Sequence, residues 1–222
     1  MHDRALVITI DGPAGSGKST AARRVASLLG VPYLDTGAMY RALAWAGRQQ
    51  GVASDDEPGL VLLFEEAHLD LSEDGTVRWN GRDITREIRQ SEITKLVSTV
   101  AALPGVRRAL VAAQRAWARG RGGVTEGRDQ GSVVFPDADF KFFLDADLNQ
   151  RAARRAQEFI AAGEPVEIAP LAAAIAERDR ADRERGVGAL KPPAGAVIVD
   201  TTHLSVDEVV QTILARVRAV DH

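Results

Sequence analysis

Residues 5 to 29 constrain the fold more than any other stretch of this chain. An apolar, β-branched run, Ala5-Leu6-Val7-Ile8-Thr9-Ile10, leads into Gly12-Pro13-Ala14-Gly15-Ser16-Gly17-Lys18-Ser19, and an amphipathic run from Thr20 to Leu29 follows. Strand, glycine loop and helix in that order form the opening unit of an α/β fold, and glycines at 12 and 17 followed by Lys and a hydroxyl residue fit a phosphate-binding loop. The backbone N–H groups of such a loop wrap phosphate oxygens, and the helix N-terminus adds unpaired donors and a positive dipole end. Lys18 is placed to reach β- and γ-phosphates, and the Ser19 hydroxyl to face Mg²⁺. A glycine turn that only capped a helix would have no need of Lys18. The expected ligand is a nucleoside triphosphate, ATP with Mg²⁺, held by Gly12, Pro13, Ala14, Gly15, Ser16, Gly17, Lys18, Ser19 and Thr20.

The remaining pattern alternates helix and strand. Val31-Pro32-Tyr33-Leu34 reads as a short strand and 36–50 as a helix; 51–59 is a polar loop, and 60–67 is helical. The character then changes. Leu69-Asp70-Leu71, a turn at Glu73-Asp74-Gly75, and Thr76-Val77-Arg78-Trp79 before Asn80-Gly81 read as small antiparallel strands, an insertion from about 62 to 95. Two helices are expected across 91–120, strands at 124–126 and 140–144, helices at 148–162 and 170–185, and a last strand at 196–200. Ser205 then caps a closing helix. Five strands separated by helices predict a parallel sheet covered on both faces.

Composition bounds the function classes. At 222 residues, one α/β domain with an insertion accounts for the chain. The net charge of −3 argues against a broad nucleic-acid surface. No apolar run is long enough to span a bilayer, and the first strand begins too early for a signal peptide. A cytoplasmic protein with no membrane or nucleic-acid partner is expected. There is no cysteine, so no disulfide or thiolate metal site is available. Of the 28 basic residues only four are Lys. That excess of Arg reflects either genome composition or phosphate recognition, and only position separates the two.

Three arginine-bearing constellations bear on that choice. Arg41, in Leu34-Asp35-Thr36-Gly37-Ala38-Met39-Tyr40-Arg41, sits one turn into a helix and is either a surface residue or a phosphate ligand. Glu126-Gly127-Arg128-Asp129-Gln130-Gly131 directly follows a strand, where open α/β sheets gather ligands; its Arg-Asp pair is either a site or a structural ion pair. Arg178, Asp182 and Arg185 share one helix face by spacing, which is either a solvated stripe or a site. Arg151, Arg154 and Arg155 carry the same ambiguity. The histidines, His2, His68, His203 and His222, fall in no motif and read as structural or surface residues.

Together these segments resemble the bacterial-type cytidylate kinases of the nucleoside monophosphate kinase group. The likeness is carried by 12–19, by 34–41, and by Asn80-Gly81-Arg82-Asp83-Ile84-Thr85 with Ile88-Arg89. It continues through Val97-Ser98 to Val106-Arg107, Glu126-Gly127-Arg128-Asp129 to Val133-Val134-Phe135-Pro136-Asp137-Ala138, Arg178-Asp179 to Arg185, and Asp200-Thr201-Thr202. It is collinear and covers nearly the whole chain. The resemblance implies a P-loop kinase core, a helical lid at about 150–190, and an enlarged monophosphate-binding insertion matching the antiparallel patch. It implies transfer of the γ-phosphoryl group of ATP to CMP or dCMP by a monomer. Lys18, Arg128 and Arg185 would act on the transferring group, with Ser19 at the metal. Ser98, Arg107 and Asp129 would read the cytosine; Thr36 would lie on the acceptor side, and Arg41, Arg128 and Arg185 would hold phosphate. Arg178 and Asp182 would contact the ribose, and Arg151 and Arg155 would come from the lid onto ATP. Gln130, where the family is usually apolar, and Gly188-Ala189-Leu190-Lys191-Pro192, in place of a more usual Ala-Pro-Leu, depart from the pattern.

A phosphate acceptor with a second pKa near 6 is largely dianionic at neutral pH and needs no general base. A GTP-driven switch would need a guanine-reading Asn/Thr-Lys-x-Asp segment, and Thr94-Lys95-Leu96-Val97 lacks its Asp. A kinase of a small hydroxylated metabolite would want a carboxylate base, for which Asp35 or Asp129 could serve.

Overall fold

A computed structural model of the chain describes residues 5–72, 74–161, 163 and 166–219. Glu73 of the expected turn, His2, His222 and part of the expected lid lie outside the described residues. In chain order the elements are β1 (Val7–Asp11), α1 (Lys18–Leu29), β2 (Tyr33–Asp35), α2 (Thr36–Gln50), α3 (Glu57–Glu65), β3 (Leu69–Leu71), β4 (Val77–Trp79), β5 (Arg82–Asp83), α4 (Ser91–Ala102), α5 (Pro104–Ala118), β6 (Gly123–Gly127), β7 (Phe140–Asp145), α6 (Leu148–Ala161), α7 (Ile168–Glu184), β8 (Val197–Asp200) and α8 (Val206–Arg218). A π-helical turn, Gln130–Val134, separates β6 from β7.

The chain forms two compact units, Met1–Tyr33 with Gly122–His222, and Leu34–Arg121. The first carries β6, β1, β7 and β8 of a five-stranded parallel sheet in the order β2-β6-β1-β7-β8, and the boundary between the units falls within β2, after Tyr33. β1 is hydrogen-bonded on both sides, with Ile10 opposite Glu126 of β6 and Phe142 of β7. Strand side chains alternate between faces. Ile8 and Ile10 of β1 therefore join Val124, Phe142 and Leu144 in one core, closed by Ala22 and Val25 of α1 and Val210, Ile213 and Leu214 of α8. Thr9 and Asp11 point the other way, yet both are fully buried. The predicted cap holds: Ser205 and Glu208 exchange bonds in a capping box at the start of α8.

The second unit packs α2 to α5 around Leu43, Leu60, Val100, Val106 and Leu110. The predicted antiparallel patch is there as a three-stranded sheet, β3-β4-β5, with Leu69 opposite Trp79 and Trp79 opposite Arg82 across the Asn80-Gly81 turn. The helix expected at 60–67 starts three residues earlier, because Asp56 caps it by accepting from the Gly59 N–H. Among the described residues no single helix is long and apolar enough to cross a membrane.

Candidate active site

The phosphate loop leaves β1 at Asp11, at the carboxyl end of a central strand. Gly12 is required by close approach: a Cβ there would stand 2.1 Å from the Leu144 carbonyl oxygen. The Thr201 hydroxyl, just beyond β8, donates to the Ser16 carbonyl at 2.9 Å and fixes the middle of the loop. Gly17 precedes α1 and has no side chain to cap it, and a helix N-terminus of that kind favours an anion.

Lys18 is buried. Its Nζ donates to the Pro13 carbonyl at 3.2 Å and lies 3.8 Å from Glu126 Oε2. The other oxygen of Glu126 accepts from the Ser19 hydroxyl at 2.8 Å. One buried carboxylate at the end of β6 thus orients both reactive side chains of the loop. Nothing in the sequence pattern assigns Glu126 a role beyond its place in the segment after Val124; the signal it carries is an acid within a short buried strand.

Arg128 is bonded in two directions. Its Nη1 donates to the Gly12 carbonyl at 2.9 Å, and its Nε to Asp182 Oδ2 at 3.0 Å. Asp182 Oδ1 accepts from Arg185 Nη2 at 2.5 Å. Burial pushes the Asp182 carboxyl upward, but the guanidinium groups of Arg128, Arg185 and Arg178 together outweigh it, and its pKa lies below the usual value. The stabilisation it supplies is present above the ordinary carboxylate range and is lost only as pH falls through the lowered pKa. Arg128, Asp182 and Arg185 therefore form one cluster beside the loop, with Arg178 contributing charge. The departing segment 188–192 joins it without disruption: Leu190 is buried, and its N–H donates to the Asp182 carbonyl at 2.8 Å.

The two arginines expected on a lid, Arg151 and Arg155, differ from one another. Arg151 is buried, donating to the carbonyls of Ala146 at 3.0 Å and Ala14 at 3.1 Å and to Asp179 Oδ2 at 2.5 Å. It props the phosphate loop from behind through Ala14. Arg155 is one-third exposed, pairs with Glu158, and lies 4.8 Å over the Phe159 ring. In the second unit, Asp35 caps α2 by accepting from the Ala38 N–H at 2.8 Å, and its other oxygen accepts from Arg41 Nη2 at 3.0 Å. Thr36 and Arg107 are buried and Ser98 is half-buried. Asp129 is buried in the first unit, between β6 and the π-helical turn.

The Arg151–Asp179 pair yields a direct test. Removing the carboxylate leaves a guanidinium buried and uncompensated, so Asp179→Ala is expected to lower unfolding stability by about 3 kcal/mol. Urea denaturation monitored by circular dichroism measures it, and a loss below about 1 kcal/mol would place the pair among energetically neutral contacts.

Residues 8–219 match the family model described as cytidylate kinase. A cytidylate kinase of Methylococcus capsulatus is 46% identical over 222 residues, covering 99% of this chain and 100% of that protein. A bifunctional pantoate ligase/cytidylate kinase of a Synechococcus strain is 48% identical over 212 residues, covering 93% of this chain and 39% of the relative, so the chain spans well under half the length of such bifunctional proteins. Among solved structures, a gluconokinase of Sinorhizobium meliloti 1021 aligns with a TM-score of 0.50 at 16% identity, over 97% of this chain and 93% of that one, which is a likeness of fold alone. The arrangement of loop, sheet and arginine cluster and the match over almost its full length agree: the chain belongs to the cytidylate kinase family.

Proposed function

We propose that the chain transfers the γ-phosphoryl group of ATP to CMP or dCMP, giving ADP and CDP or dCDP. The observation that carries this reading is the bond from Arg128 to the Gly12 carbonyl. It sets a guanidinium against the loop that would hold the donor, where an acceptor phosphate must arrive. Two polyanions meet there, and the chemistry asks for position and positive charge rather than for a base.

In this reading Lys18 stabilises charge on the transferring group, and Arg128 and Arg185, held apart by Asp182, bind the acceptor phosphate and the developing charge between the nucleotides. Arg41 holds acceptor phosphate. Arg178 serves the ribose. Thr36, Ser98, Arg107 and Asp129 serve the rest of the acceptor. Arg155 is the lid cation for ATP, and Arg151 acts through the Ala14 carbonyl. Among the described residues no group of three or more His, Asp or Glu side chains could hold a metal. Mg²⁺ would therefore be held by the phosphates and the Ser19 hydroxyl, whose proton is directed to Glu126 and whose lone pairs are left for a cation. Its contribution when bound is to neutralise phosphate charge. A monomeric enzyme in the cytoplasm is part of the same proposal.

The first test is an acceptor profile. A coupled ADP-release assay is expected to rank CMP and dCMP above UMP, AMP and GMP; AMP outperforming CMP would overturn the assignment. Lys18→Ala is expected to fold normally and to lose about 3 kcal/mol or more of transition-state stabilisation, roughly a hundredfold in kcat. Near-normal turnover with unchanged thermal unfolding would remove Lys18 from the chemistry. Cytosine offers an amino donor where uracil presents a carbonyl oxygen, and a carboxylate accepts from the first and repels the second. Asp129→Ala is therefore expected to narrow the CMP-to-UMP ratio of kcat/KM by about tenfold or more, at least about 1.4 kcal/mol. Equal loss on both acceptors would mean that Asp129 orients its neighbours without reading the base.

A further inference from the structure

Asp11 closes β1 on the face away from Ile8 and Ile10, and it is completely buried. Its two oxygens are used separately: Oδ1 accepts the N–H of Gln130 and Oδ2 the N–H of Gly131, each at 2.8 Å. Those amides open the π-helical turn that directly follows Arg128 and Asp129, and that turn has no side-chain cap of its own. A carboxylate from another strand supplies the cap. At the next peptide along, the Gly12 carbonyl accepts from Arg128. The Arg128-Asp129 segment is therefore fastened at both ends to the first two residues of the phosphate loop's root. There is no slack behind it, because a Cβ on Gly131 would stand 2.8 Å from Thr9 Oγ1 and 2.9 Å from Pro193 Cγ.

We propose that Asp11 is a positioning residue for phosphoryl transfer, holding the Arg128-Asp129 turn in register on the phosphate loop and so setting the affinity for the acceptor nucleotide. The proposal rests on the reading of Arg128 and Asp129 given above. Its electrostatics are consistent with a functional role. Burial above all, with the like charges of Asp129 on the turn and Glu126 on β6 adding to it, pushes the carboxyl up to about 7 against the pull of the two backbone N–H groups. From β7, the residue paired with Asp11 is the uncharged Phe143. The folded state binds this proton more tightly than an unfolded chain with the ordinary carboxylate value of 3.8. The group's contribution to stability therefore declines as pH rises from the unfolded to the folded value, then stays level. Ionisation costs folding stability, yet the anion is the stronger acceptor for both amides. Protonation leaves one of the two oxygens a hydroxyl, a weaker acceptor whose own O–H needs a partner.

The test uses the full chain and its Asp11→Asn variant. Without nucleotide, the amide nitrogen and proton shifts of Gln130 and Gly131 are followed from about pH 5.5 to about pH 8.5. They are expected to move together with a single midpoint near neutrality in the wild type, and to stay flat in the variant. In steady state, kcat/KM for CMP in the wild type is expected to rise with pH in two steps, the lower from the acceptor phosphate near pH 6. The variant keeps only that lower step, with KM for CMP raised about tenfold and KM for ATP changed less than about twofold. The proposal is overturned by a variant with the parental KM for CMP and the parental pH profile, or by equal loss on ATP and CMP. Should Asp11→Asn fail to fold, Asp11→Glu, which keeps the charge but lengthens the reach to the two amides, is read by the same split between KM for CMP and KM for ATP. Wild-type protein that does not phosphorylate CMP overturns instead the reaction on which the proposal rests.

Discussion

β1 is hydrogen-bonded to β6 on one side and β7 on the other, and every first-unit group proposed above to handle phosphate depends on that double pairing. A central parallel strand cannot shift register without moving its whole hydrophobic set. Ile8 and Ile10, fully buried against α1 and α8, therefore fix where Asp11 and Gly12 emerge. The same register brings the end of β6 alongside, and Glu126 reaches Lys18 and Ser19 from there. Loop geometry thus follows from sheet register, with side chains making the final adjustment.

The charges around the loop are organised by buried carboxylates. Glu126, Asp182, Asp179 and Asp11 are each nearly or fully inaccessible, and each bonds a group of the phosphate loop, of the arginines beside it or of the turn after β6. Such acids are poor sources of net stability, since desolvation offsets much of the attraction between partners. Their value lies in geometry. A long arginine that must meet a phosphate at a set angle loses less freedom on binding if a carboxylate already holds it. Arg128 and Arg185 share Asp182, which would serve the phosphate contact proposed for them, while Arg151 is so completely held by Asp179, Ala14 and Ala146 that it is part of the scaffold.

Local features were legible in the sequence. The glycine loop, the span of α2 and the Ser205 cap depend on residues a few positions apart, so propensity and spacing suffice to find them. The antiparallel patch was visible for the same reason, although its third strand, Arg82–Asp83, is too short to carry a pattern. The pairing partners were not legible. Glu126 meets Ser19 across 107 positions and Arg151 meets Asp179 across 28, and nothing in spacing distinguishes an acid bound for a partner from one bound for water. The charged stripe on α7 shows the limit well: its shared face was predictable, but the burial of Asp182 between two guanidinium groups follows only from the way the turn after β6 packs. Asp11 belongs to the same group, because its two partners lie 119 and 120 positions away.

The bond from Thr201 to the Ser16 carbonyl spans 185 residues. Non-local contacts of that kind form late, after the entropy of closing the intervening chain has been met. During synthesis from the N-terminus, the glycine loop emerges long before β6, β7 and the residues after β8 that brace it. The loop is thus encoded first and completed last. A nascent chain carries the whole phosphate-binding motif without the means to hold it in shape, and competence to grip a triphosphate arrives only when the far edge of the sheet has docked.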